Sequence, residues 1–209
     1  MNSILRKTIA VAFTLFVFLI MYMGAYLPLR KAQIYIATRT RPVNSLKEFD
    51  SVFNAALDFY SPVGQDELVS NFLEIIIGAL NSDKTNEAST IHELVKRAEL
   101  RASPIVSRGV GFGLSQITNG LGTTYEIAAF KLQDKTYYDK AVKTMNLGLT
   151  YSPNRKLFLS TLLNLYGLSG DIPNAKKIAE NVLKYWPNDA QALQVLQQIA
   201  DFENKPVGK

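Results

Sequence analysis

From Thr8 to Leu27 the chain reads TIAVAFTLFVFLIMYMGAYL, twenty positions with neither a charge nor a proline. Past Pro28 the apolar positions cease to be continuous and recur every three or four residues, the period of a helix that buries one face. Ser45 opens one such stretch as a cap, with Glu48 placed to complete a capping box. Leu46, Phe49, Val52, Phe53, Ala56, Leu57 and Tyr60 follow at helical spacing. Ser61-Pro62-Val63-Gly64 reads as a turn, 65–80 as a partner helix and 81–85 as a polar break. A further helix is expected over about 86–102, with Ile91, Leu94, Val95, Ala98 and Leu100 on its apolar face. Residues 45–121 thus read as degenerate helical repeats.

Twenty helical residues rise roughly 30 Å, the thickness of a bilayer's hydrocarbon core. Tyr22 and Tyr26, with Arg30 and Lys31 beyond them, read as an interfacial belt with snorkelling cations. A cleaved signal would be shorter and end in a small-x-small site, and Met23-Gly24-Ala25 is a poor one. The expectation is a single-pass anchor at 8–27, between a short tail at 1–7 and a juxtamembrane linker at 28–44. Orientation pulls both ways. Arg6 and Lys7 favour a cytoplasmic tail, whereas Arg30, Lys31, Arg39 and Arg41 outnumber them on the other flank. Moving a tail with two cations across the bilayer is unfavourable, so an extracytoplasmic domain is the expectation.

The C-terminal half repeats itself. Pro153 and Pro187 lie 34 positions apart, as do Ala141 and Ala175. Tyr125, Ala128, Ala129 and Leu132 share a face of one helix, and Tyr138, Ala141, Met145 and Gly148 a face of the next. The following unit carries Leu159, Leu162, Leu163 and Tyr166, then Ala175, Ala179 and Val182. Small residues let antiparallel helices approach, larger ones fill the space between pairs, and each proline stands where a helix has ended. Gly167-Leu168-Ser169-Gly170-Asp171 reads as the turn inside the second unit. A last helix from Asp189 to about Phe202 carries Leu193, Leu196 and Ala200 on its apolar face. Gln191, Gln194, Gln197 and Gln198 are left to water, as a closing helix requires. Residues 204–209 read as a frayed tail.

Over residues 122–203 this pattern resembles the tetratricopeptide (TPR) family: two units in register and a capping helix. Tyr125 stands where that family often has tryptophan, and Leu163 where it usually has a small residue. The resemblance implies an all-α chain in which a transmembrane helix precedes an α-solenoid of antiparallel helix pairs serving protein–protein interaction. It also implies a partner-binding groove along the first helix of each unit. Carried onto this sequence, the groove positions are Thr123, Glu126, Phe130, Gln133 and Asp134, then Ser160, Asn164 and Leu168. The clamp with which chaperone-binding members hold a peptide carboxylate is matched only by Asn164, and Glu126 has the wrong sign. An extended or helical peptide is the better fit; solvated side chains with no partner read equally well. Ser45 to Leu68, SLKEFDSVFNAALDFYSPVGQDEL, and Ser152 to Leu162, SPNRKLFLSTL, are in addition similar to the helical tail of O-antigen ligase-like membrane proteins. The multi-span domain that carries the transferase chemistry there has no counterpart here. That similarity implies an alternative role, an accessory subunit of a cell-envelope polysaccharide assembly, without ligase activity.

Composition narrows the chemistry. The net charge is +5, and six cations, Arg6, Lys7, Arg30, Lys31, Arg39 and Arg41, flank the apolar run. The remainder is close to neutral, which argues against nucleic acid as a partner. No cysteine is present and His92 is the lone histidine, so thiolate chemistry, a zinc site and a histidine-dependent triad lack material. Arg108 to Gly113, RGVGFG, with Gly120 and Gly122 beyond it, lacks the strand–helix context of a phosphate cradle. It reads as a helix with close-packing glycines or as a connector. Asp66 and Glu67, or Asp58 and Glu74, could pair, but acids near helix starts ordinarily favour the dipole. The chain therefore reads as a non-enzyme without cofactor or metal, whose partners are a protein or peptide and, through the anchor, membrane lipid.

Overall fold

A computed structural model describes residues 3–41, 45–83 and 85–203, and all regular structure among them is helical. The start of the expected short tail, Met1 and Asn2, the expected frayed tail at 204–209 and the end of the expected linker lie outside the described residues. The chain forms two compact units, one ending at Phe72 and the other beginning at Leu73.

In the first unit α1 (Ser3–Met21), a π-helical turn (Tyr22–Tyr26) and α2 (Leu27–Arg39) run as one helix of 37 residues, long and apolar enough to cross a membrane. No residue of α1 is buried. The π turn has a local cause. Pro28 has no amide to offer Gly24, and just before it the Leu27 amide bonds to Tyr22 O, widening the ladder by a residue. The stretch 28–39, expected as linker, is therefore helical, and α2 packs on α3 (Leu46–Leu57). Ser45 caps α3 by accepting from the Glu48 amide at 3.2 Å. Phe49 and Phe53 of α3 meet Phe72 of α4 (Gln65–Leu80), with ring centroids 4.6 to 5.7 Å apart. Tyr60 lies past the end of α3 and is exposed, not on its apolar face.

Lys31 corrects the reading of a snorkelling cation. Its side chain is only 3% exposed and turns into the unit. Nζ donates to Phe59 O at 2.9 Å and to Gln65 Oε1. Leu27, Lys31 and Thr38 are the buried residues of α2, so the lysine occupies the inner face of that helix.

The second unit holds the rest of α4 with α5 (Ala88–Arg108), α6 (Leu114–Leu132), α7 (Lys135–Tyr151), α8 (Lys156–Ser169), α9 (Ile172–Tyr185) and α10 (Ala190–Glu203). From α5 onward each helix packs on its neighbours in sequence. α5 runs past the expected end at residue 102 and through Pro104, burying Ala102, Ile105 and Val106. Leu100, expected inside, is 68% exposed. Gly109–Gly113 is a connector with left-handed backbone at Gly109, and Gly120 and Gly122 lie inside α6; the glycine-rich stretch is thus part loop and part helix. Ala128, Ala129, Ala141, Met145, Gly148, Leu159, Leu162, Leu163, Ala175, Ala179 and Val182 are all buried. Leu163, the departure from the family's small residue, joins Leu159, Ala179, Val182 and Ala192 in one core cluster. On α10 the inner positions are Ala192 and Ile199, while Leu193 is exposed.

Candidate functional site

The α6–α7 and α8–α9 turns set the site. Gln133 closes α6 in the left-handed region at φ 53°, and its side-chain amide donates to Phe130 O at 2.7 Å. Asp134 caps α7, accepting from the Thr136 amide at 2.7 Å, which holds its carboxyl below the usual range. In the next pair Gly170 supplies the left-handed stop of α8, and Gly167 belongs to the helix rather than to the turn. Asp171 caps α9 through the Asn174 amide. Tyr138 Oη and Ser169 Oγ, 2.9 Å apart, tie the two turns together.

Between these turns lies an open cavity of about 490 Å³, lined by Phe130, Gln133, Asp134 and Leu168 with Lys135 and Tyr138. Phe130 is half-buried, whereas Leu168 is 70% exposed. Leu168 also borders a second, largely apolar cavity of about 410 Å³ bounded by α8, α9 and α10, with Asn164 and Gln191 in its wall. The polar groups run in a row across α6, α8 and α10. The Asn164 amide bonds to the Glu126 carboxylate, and Asn164 Oδ1 accepts from Gln191 Nε2. Burial pushes the Glu126 carboxyl up to about 7, against the pull of the Asn164 hydrogen bond.

Of the eight residues expected in a groove, Phe130, Gln133, Asp134 and Leu168 share the first cavity, Asn164 and Leu168 border the second, and Glu126 is joined to them through Asn164. Thr123 and Ser160 are half-buried and line neither cavity. Gln133 and Asp134 have their polar atoms committed to helix ends, so they shape the rim. Sequence reasoning missed Tyr138, Ser169 and Gln191. Gln191 was assigned to water as part of a closing helix, yet it stands in the first turn of α10 facing Asn164.

Arg155 donates to Ser115 Oγ at 2.7 Å and Gln116 Oε1 at 2.8 Å, joining the α7–α8 turn to α6. His92 Nδ1 meets Tyr137 Oη at 2.7 Å on an exposed face. Among the described residues no group of three or more histidines and acids could hold a metal ion. No family model matches the chain, and no curated protein or solved structure shows significant similarity to it.

Proposed function

We propose that this chain is a single-pass membrane protein whose tetratricopeptide-type helix pairs form a solenoid that binds an extended or helical peptide segment of another protein. The observation that carries the reading is the cavity between the α6–α7 and α8–α9 turns. There an aromatic side chain, Phe130, stands with a largely exposed leucine, Leu168, which also borders the second cavity, where Asn164 and Gln191 are hydrogen-bonded. Apolar anchors with polar groups at their flank suit a peptide that inserts one or two side chains and aligns its polar atoms on the row. The 34-residue spacing of Ala141 and Ala175, both buried at a helix crossing, supports the tetratricopeptide assignment. The wholly exposed apolar surface of α1 supports the anchor, and the two cations of the N-terminal tail favour an exported binding domain. The role is scaffolding.

The test is a crosslinking pull-down from intact membranes with the wild type and with Phe130→Ala. The wild type is expected to recover a discrete protein partner that the variant recovers several-fold less. Equal recovery from both removes the groove.

A further inference from the structure

Where the first helix leaves its apolar run, the first unit holds a pocket of about 240 Å³ between α2 and α3. Arg30, Gln33, Thr38 and Arg41 wall it on one side, and Ser51 and Ala55 on the other. Arg30 reaches Gln33 Oε1 at 3.5 Å, a long contact that leaves the guanidinium most of its donors. Among the described residues no carboxylate forms an ion pair with Arg30 or Arg41. The Thr38 and Ser51 hydroxyls donate to Tyr35 O and Glu48 O on their own helices. What faces the pocket is therefore cationic, with no anion built in. Lys31, the neighbouring cation, is turned away into the core, so the two arginines are singled out from the basic flank by geometry.

Depth identifies the occupant. Arg30 is three residues beyond Leu27, a rise of about 5 Å, which is the level of the headgroups just outside the hydrocarbon. A phosphate there can be held by the planar guanidinium fork of Arg30, which lines the pocket. We infer that this pocket binds the phosphate of an anionic membrane lipid, holding one lipid at the base of the anchor. The inference rests on the reading of α1 as a membrane span.

Full-length protein in vesicles of phosphatidylcholine with a minority of phosphatidylglycerol tests it. Flotation with the vesicles is read first, and phosphatidylglycerol retained after extraction into detergent is then measured by native mass spectrometry. The wild type is expected to float and to retain phosphatidylglycerol in preference to phosphatidylcholine. Arg30→Gln should lower that retention about fivefold, the effect of one basic side chain near an anionic surface, and Arg41→Gln, farther from the hydrocarbon, should lower it less. Ala55→Leu, which fills the pocket without changing charge, should lower it as well, and Arg39→Gln, outside the pocket, should leave it unchanged. Floating protein with no preference, a preference that survives Ala55→Leu, or equal losses for Arg39→Gln and Arg30→Gln would overturn the pocket and leave the span standing. Displacement of the lipid by soluble glycerol phosphate would assign the site to a free phosphate and overturn the lipid. Protein that fails to float overturns span and pocket together.

Discussion

At Gly148 an added Cβ would stand 2.3 Å from Phe158 Cε1, and at Gly122 one would stand 2.6 Å from Met145 Cε. The two distances are similar but the neighbours are not. Phe158 is a rigid ring with no exposed surface, whereas the Met145 methyl ends a flexible chain. Gly148→Ala is expected to destabilise the second unit by about 2 kcal/mol even after the better helix propensity of alanine, and Gly122→Ala by clearly less. Thermal melts of the two variants followed by circular dichroism check the order. Glu126 gives a pH signature. Its folded-state proton is held from the ordinary 4.5 up to about 7, so the folded form binds more protons than the unfolded one in that window. Stability is therefore full below the window and falls as pH rises through it. Glu126→Gln should flatten that slope and raise stability above neutral pH by on the order of 2 kcal/mol, as read from melting temperature against pH. The buried small residues could be read in the sequence because alanine and glycine at a fixed spacing have few other uses. The Gln133 turn could not, because a left-handed glutamine looks like any surface amide until its backbone is seen.

At the scale of elements, a strongly periodic helix is legible in the sequence to its ends, as with 65–80 and α4. Two stretches are not, each for a physical reason. The sequence predicts an end for α5 near residue 102, yet the helix continues through Pro104 to Arg108. The missing amide frees only the Leu100 carbonyl, and Leu100 and Pro104 are both exposed, so that carbonyl is on the solvent side while Ile105 and Val106 stay buried. Lys31 reads with Arg30 as a cation flanking the apolar run, although its phase with Leu27 and Thr38 places it on the inner face of α2. Lys31→Ala would leave Phe59 O and Gln65 without their donor. Loosening of the α2–α3 pairing by about 2 kcal/mol is expected, visible as faster amide hydrogen exchange over α3 with α6–α9 unaffected.

On the scale of the whole molecule, an unburied apolar helix in the first unit accompanies a second unit whose helices pack on their sequence neighbours. Phe130 on α6 and Asn164 and Leu168 on α8 border the cavities of that unit. The spacing of the pairs was legible in the chain, but how the row of polar groups continues onto α10 was not, because a closing helix and a groove-lining helix share one composition. A photoreactive residue at position 168 of the full chain in intact membranes tests the central claim, with the same probe at position 177 on α9 as its counterpart. A discrete protein adduct is expected from 168 that disappears with Phe130→Ala, and none from 177. Identical adducts from both positions, or none from 168, would contradict it.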